Sequence, residues 1–163
     1  MNLIDHFDRG AEIDPGQICV RDVRFTRTYR EVQLHSYRIA ASIAALGFGP
    51  GTRIAMLSEN SVFAFEAIVG VLRAGCVWMP IGPNQAVADT ARMMDTSRAE
   101  LLLYSLAQRK PAYEMIRGAR SIRKTVCIDQ SDGHSESLQA LLAAASEADP
   151  CIERGSGKRA SLY

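Results

Sequence analysis

Metal ligands are scarce and scattered in this chain, and their scarcity narrows its function before any motif is considered. Four cysteines and three histidines occur in 163 residues. Cys19, Cys76, Cys127 and Cys151 lie far apart, with neither a CxxC pair nor a Cys/His cluster. A metal site needs several ligands converging on one ion, so the spacing predicts no metal site and no zinc. Isolated thiols flanked by apolar residues read instead as buried core in a reducing compartment, which places the protein in the cytoplasm. His6, His35 and His134 are equally dispersed, and none is nominated as a general base.

Excess charge of either sign is also missing. With 19 basic and 18 acidic residues the net charge is +1, too little for a field that holds a phosphate backbone, so nucleic acid is not expected as a partner. Local basic clusters, Arg117, Arg120, Arg123 and Lys124 and then Arg154, Lys158 and Arg159, read as solvated faces. Asp5 and Asp8 near the amino terminus argue against a secretory signal. The longest apolar stretch, Val62 to Ile81, is interrupted by Glu66, Arg73 and two glycines, so it predicts a buried helix and a strand rather than a membrane span.

What is present is an alternation of helices and apolar strands. Asn2 to Arg9 predicts a short helix, Asp14-Pro15-Gly16 a turn, and Ile18 to Arg21 with Arg24 to Thr28 a hairpin around Asp22. Thr28 and Glu31 form a Thr-x-x-Glu capping box for a helix that Gly47 ends. Ile54 to Leu57 is a strand, residues 58–61 offer caps, and Val62 to Leu72 is apolar on almost every face, so that helix should be covered on more than one side. Gly75 ends it. Val77 to Met79 lacks alternation, which predicts a strand buried on both faces of a parallel sheet. Val87 to Thr96 (helix), Leu101 to Tyr104 (strand), Ala112 to Arg117 (helix), Thr125 to Ile128 (strand), a loop at Asp132-Gly133 and a helix from Ser137 to Ala145 follow. Residues 149–159 are polar and glycine-bearing and read as an exposed connection, and Ala160 to Tyr163 reads as a strand. The fold class is α/β, a doubly wound and mainly parallel sheet with helices on both faces.

The short motifs that suggest chemistry do not survive inspection of their neighbours. Gly155-Ser156-Gly157-Lys158 has Ile152 where a phosphate loop needs glycine and Arg159 where it needs a hydroxyl. Gly47-Phe48-Gly49-Pro50-Gly51 follows a helix, whereas a dinucleotide fingerprint follows a strand. Ser58, Ser61 and Ser105 lack nucleophile-elbow surroundings, and Asp129 with Asp132 reads as a solvated pair. No catalytic, cofactor-binding or metal residue is nominated.

Order and spacing carry a stronger signal. Thr28-Tyr29-Arg30-Glu31-Val32, then Gly47 to Ala55, then Asn60-Ser61, Leu72 to Pro80 and Asp95 to Leu102 occur in one sequence at consistent distances. This succession resembles the opening of the AMP-forming acyl-CoA synthetases and adenylate-forming ligases, closely from Asn2 to about Tyr104 and loosely beyond. Thr52 stands where that family usually has an acid.

The resemblance implies that residues 1–163 are an incomplete amino-terminal, AMP-binding domain that stops before the phosphate-binding loop. The intact enzyme would join a carboxylate to ATP, release pyrophosphate and pass the acyl group to CoA, using ATP, Mg2+ and CoA. Its small-molecule carboxylate is left open, as is the choice between CoA and a carrier-bound pantetheine. The 163-residue chain alone would bind no cofactor, would be inactive, and would self-associate through the surface near Ala160 to Tyr163. Two other readings stand beside this one: a stand-alone, non-catalytic module on the same scaffold, and an amino-acid adenylation domain. A flavodoxin-like or Rossmann oxidoreductase is disfavoured by the missing glycine fingerprint.

Overall fold

A computed structural model describes residues 2–130, residue 133 and residues 136–148. The elements are α1 (Leu3–Ile13), β1 (Ile18–Arg21), β2 (Thr26–Thr28), α2 (Tyr29–Ala45), β3 (Arg53–Leu57), α3 (Val62–Arg73), β4 (Val77–Pro80), α4 (Val87–Ser97), β5 (Ala99–Tyr104), a 3-10 turn (Leu106–Gln108), α5 (Arg109–Gly118), β6 (Lys124–Cys127), β7 (Glu136–Ser137) and α6 (Leu138–Ala148). β1 and β2 form an antiparallel hairpin. The other strands form one parallel sheet in the order β4-β3-β5-β6-β7.

Strand alternation sorts the core into two layers. Ile54 and Met56 of β3 and Leu101 and Leu103 of β5 face α2, α3 and α6, meeting Ile39, Ile43, Ala67, Val71 and Leu138. Ala55, Leu57, Leu102 and Tyr104 face the opposite way, toward Ala91 and Met94 of α4 and Ala112 and Met115 of α5. Helices therefore cover both faces, as the alternating elements predict. Leu101, Leu102 and Leu103 are all fully buried or nearly so, each worth about 1.5–3 kcal/mol of transfer free energy.

α3 is covered on more than one side. It packs on the sheet through Ala64, Ala67 and Val71 and on α2 at Gly70, where an added Cβ would overlap the Ile39 side chain. Glycine is what allows the two helices to approach this closely. At the end of α3, Gly75 has φ +73°, which turns the chain into β4 as its place after Ala74 predicts.

Several expectations are corrected. β4 is an edge strand of the described sheet, with Val77 46% exposed, so it is not buried on both faces. The amides of Val77 and Ile81 donate to β3-side carbonyls of Thr52 and Met56, so the intervening even-numbered positions direct their backbone outward. Pro80 takes one of these, where no ladder donor is needed. Asn2 and Asp5 cap the start of helix α1, which runs on to Ile13 past the buried Ala11 and ends with the Asp14 amide donating to the Gly10 carbonyl. α5 begins at Arg109, since Pro111 falls in the first turn, where its missing N–H leaves no bond unmade. β5 begins at Ala99 because Arg98 adopts φ 56° and reverses the chain directly after α4. The two-residue β7 carries no sequence signal. The exposed connection at 149–159, the strand Ala160 to Tyr163, Gly155 to Lys158, Asp132 and Cys151 lie outside the described residues.

Candidate functional site

In an open α/β sheet, ligands bind outside the carboxyl ends of strands, where adjacent strands send the chain to opposite faces. Here that point lies between β3 and β5. β3 leads to α3 on one face, and β5 leads through the 3-10 turn to α5 on the other. The crevice between residues 58–61 and residues 105–108 is the candidate site.

Its two walls are tied together by one carboxylate. The buried Ser105 hydroxyl donates to Glu59 Oε2 at 2.8 Å, and Gln108 Nε2 donates to Oε1 at 2.5 Å. Burial pushes the Glu59 carboxyl up, but these side-chain donors outweigh it and hold it below the usual carboxylate range. At the end of β6, Asp129 Oδ1 accepts from the Leu106 amide at 2.9 Å and the Gln130 amide at 3.1 Å. Asp129 is thus a cap for the 3-10 turn, which corrects its reading as a solvated residue. Ser58 donates to the Glu59 carbonyl, and Ser61 accepts from the Ala64 amide at 3.1 Å to cap α3. Each of these groups positions a loop; no histidine stands beside Ser105 to activate it among the contacts the structure shows.

A second polar cluster lies at the hairpin. Glu66, 4% exposed in the middle of the apolar run of α3, accepts from Arg27 Nε at 3.2 Å and bonds His35 Nδ1 at 2.6 Å. These bonds satisfy the buried carboxylate and fasten β2 and α2 to α3. The sequence signal for this cluster is a charge in the middle of an apolar run, which marks a buried acid in need of partners and not only a break in hydrophobicity.

The remaining candidates behave as core or surface. Burial raises the pKa of Cys19 and Cys76 and carries that of Cys127 to about 11, which makes all three poor nucleophiles. Among the described residues, no three His, Cys, Asp or Glu side chains are grouped to hold a metal ion, and no helix is long and apolar enough to cross a membrane. Arg123 pairs with Glu100 at 2.9 Å and lies over the Phe48 ring. A surface depression of about 360 Å³ is lined by Arg109, Lys110, Tyr113, Glu114 and Arg117, all from α5, so no second element closes it.

Comparison with known proteins gives these features a context. A family model described as AMP-binding enzyme matches residues 7–157. Tyrocidine synthase 2 of Brevibacillus parabrevis is 33% identical over 97 residues, covering 60% of this chain and 3% of that protein. A nonribosomal peptide synthetase of Aspergillus rugulosus is 33% identical over 89 residues, 55% of this chain and 1% of that protein. Among solved structures, a benzoate CoA ligase from Burkholderia xenovorans superposes with a TM-score of 0.79 at 22% identity, covering 88% of this chain and 28% of its own. MbtA of Mycobacterium smegmatis superposes with a TM-score of 0.77 at 29% identity, again over 88% of this chain and 27% of its own. The chain therefore spans a small part of the relatives it matches.

Proposed function

This chain belongs to the AMP-binding enzyme family, and from that premise we propose that it serves as scaffold in the amino-terminal domain of an AMP-forming carboxylate–CoA ligase. The complete reaction joins a carboxylate to ATP, giving an acyl-adenylate and pyrophosphate, and then transfers the acyl group to the CoA thiol. The observation that carries the reading is the family match across residues 7–157, on a parallel sheet whose loops diverge between β3 and β5.

In this proposal the described residues build and brace the site. Glu59, Ser105 and Gln108 fix the distance between two loops at the carboxyl edge, and Asp129 holds the start of the 3-10 turn. Fixed loops favour a transition state because the donors they carry need no reorganisation during reaction. Among the described residues no three His, Cys, Asp or Glu side chains are grouped, and no step is assigned to magnesium. ATP, Mg2+ and CoA belong to the proposed intact enzyme, and residues 1–163 by themselves are proposed to lack exchange activity and to associate with one another. Scattered high-pKa thiols support a reducing, cytoplasmic setting.

A second reading is favoured by the curated relatives, which are peptide synthetases at 33% identity. In it the acid is an amino acid and the acceptor is a carrier-bound pantetheine thiol. Carboxylate-dependent ATP–pyrophosphate exchange by the intact protein tests both. Exchange with aliphatic or aromatic acids and consumption of CoA thiol support the first reading. Exchange restricted to amino acids, without CoA consumption, replaces it with the second. No exchange with any acid in a folded, intact protein leaves the non-catalytic module.

A further inference from the structure

Charge is nearly balanced over the whole chain but not along it. Residues 109–124 hold six of the 19 basic residues and one of the 18 acidic ones, a formal charge of +5, which leaves −4 for the remainder. Internal partners account for part of this excess. Arg123 pairs with Glu100, and Arg120 lies in the field of Asp95, whose carboxylate also accepts from the Ser121 amide at 2.7 Å. Arg109, Lys110 and Arg117 differ from these. All three are exposed, and among the described residues none of them has an ion pair or a hydrogen bond.

Helix α5 sets these charges in a fixed order. Arg109 and Lys110 stand in its first turn, Glu114, its one acid, a turn later, and Arg117 three residues beyond, so they share a face. Ala112 and Met115 point the other way, into the core. The two basic ends are separated by about 10–12 Å along the axis. Between them lies the depression of about 360 Å³, floored by Tyr113, whose hydroxyl meets that of the buried Tyr104 at 3.2 Å. A small anion would touch this single helix and stay open to water, whereas a second helix laid along α5 would supply the missing wall. None of the exposed large apolar side chains belongs to α5, and Glu114 in the middle of the ridge repels lipid headgroups and nucleic-acid phosphates alike. We propose that this face of α5 is the docking surface for an acidic helix of a partner protein, recognised by charge order. The partner places a carboxylate opposite Arg109 and Lys110, a cation opposite Glu114 and a carboxylate opposite Arg117. Acid, base and acid at i, i+4 and i+7 of one helix meet that requirement, and charges beside helix contacts choose partners in this manner. The inference rests on charge and helix geometry and is independent of the proposed reaction.

The test follows the backbone amides of the whole 163-residue chain by NMR while an alanine-rich helical peptide is added. One peptide carries Glu, Lys and Glu at i, i+4 and i+7, and a second carries Lys, Glu and Glu at the same positions, so composition and net charge are equal. The expected result is shifts confined to residues 109–118, with the first peptide bound at least about fivefold more tightly than the second. Binding should weaken as salt rises from about 0.05 to about 0.5 M. Equal affinity for the two peptides overturns the proposal, since it would leave only a solvated basic face. Absence of shifts in α5, or tighter binding of phosphatidylserine vesicles than of the first peptide, overturns it as well. Charge exchange supplies an independent arm. Arg117→Glu should weaken binding of the first peptide, and a peptide with Lys in place of its last Glu should restore it. Lys110→Glu should behave likewise toward a peptide changed at its first Glu. Both side chains are exposed, and unchanged β3 and β5 amides confirm the fold of each variant. Failure of both exchanges to restore binding overturns the proposal.

Discussion

Asp22 Oδ2 accepts a hydrogen bond from the Val62 amide at 2.9 Å, so the turn of the β1–β2 hairpin caps a helix forty positions further along the chain. The other oxygen of the same carboxylate accepts from Arg24 and Phe25, each at 2.8 Å, and closes the hairpin turn. One side chain thus shapes the turn and ties it to α3, where Phe25 also meets Phe63 edge-on at 5.0 Å. The amide of Val62, with those of Arg24 and Phe25, holds the Asp22 carboxyl below its ordinary value of 3.8. Because folding lowers this pKa, the contribution to stability is complete above about pH 3.8 and is lost as pH falls through the folded-state value. Asp22→Ala should lower the urea midpoint at pH 7, and the gap between wild type and Asp22→Asn should close in acid. A gap that stays constant from pH 6 to pH 2 would show that the carboxylate charge is not what the amides recognise.

The contact between α2 and α3 gives a second prediction. An added Cβ at Gly70 overlaps Ile39, which is itself 1% exposed and has no room to withdraw. Gly70→Ala should cost about 1–3 kcal/mol by overpacking, despite alanine's better helix propensity. Ile39→Ala alone should cost about 2–5 kcal/mol. Combined, the two should cost less than their sum, because the smaller residue at 39 makes room for the new methyl. Strict additivity in the double-mutant cycle would mean that the helices separate freely at this point.

Much of this fold was legible in local chemistry. The Thr28–Glu31 box, the caps at residues 58–61 and the positive φ at Gly47 and Gly75 involve residues a few positions apart, where sequence and geometry determine each other directly. Errors came where tertiary context decided. Val77 to Met79 lacks alternation, yet β4 lies at an edge, because burial depends on what is placed beside a strand rather than on its own residues. The candidate crevice was hidden for the same reason. Glu59 and Ser105 are 46 positions apart and meet only because β3 and β5 are neighbours in the sheet.

Gly75 tests a local reading directly. Its φ of +73° disfavours any Cβ, and a Cβ built there would stand 3.2 Å from Pro50 Cβ. Gly75→Ala should therefore cost about 1 kcal/mol or more through backbone strain alone. In the intact ligase proposed above, turnover per folded molecule should be unchanged. A melting temperature equal to that of wild type would argue that β4 can shift to relieve the strain.

The bond between Ser105 and Glu59 can be read spectroscopically. Removing the hydroxyl with Ser105→Ala takes away one of the two side-chain donors that depress the Glu59 carboxyl. Its pKa, followed by the carboxyl carbon shift, should rise. Since Glu59 is exposed, the stability change should stay small. An unmoved titration would assign the whole effect to Gln108.

Arg73 supports the most demanding prediction, because three different groups use its guanidinium. Its Nη1 and Nη2 donate to the two oxygens of Asp8, at 2.9 and 2.5 Å, and its Nε donates to Ser36 Oγ at 2.8 Å. The same plane lies 3.9 Å from the Tyr37 ring centroid. With its side chain 8% exposed and that of Asp8 25% exposed, the pair fastens α1 to α2 and α3 largely out of water. Burial raises the Asp8 carboxyl, and the bonds from Arg73 and Gln33 reverse that and leave it lowered, so its contribution fades as pH falls through the folded-state value. Arg73→Ala takes the guanidinium from Asp8 and Ser36, leaving the Asp8 carboxylate only its bond from Gln33, and should cost about 3 kcal/mol or more. Arg73→Lys keeps the charge, but a single ammonium cannot serve two carboxylate oxygens, a hydroxyl and a ring at once, so it should recover no more than about half of the loss. Hydrogen exchange separates local from global effects: α1 amides should lose more protection than those of β3 and β5 in both variants. Full recovery by lysine would reduce the site to a point charge, and uniform loss of protection would mean that α1 unfolds only with the rest of the protein.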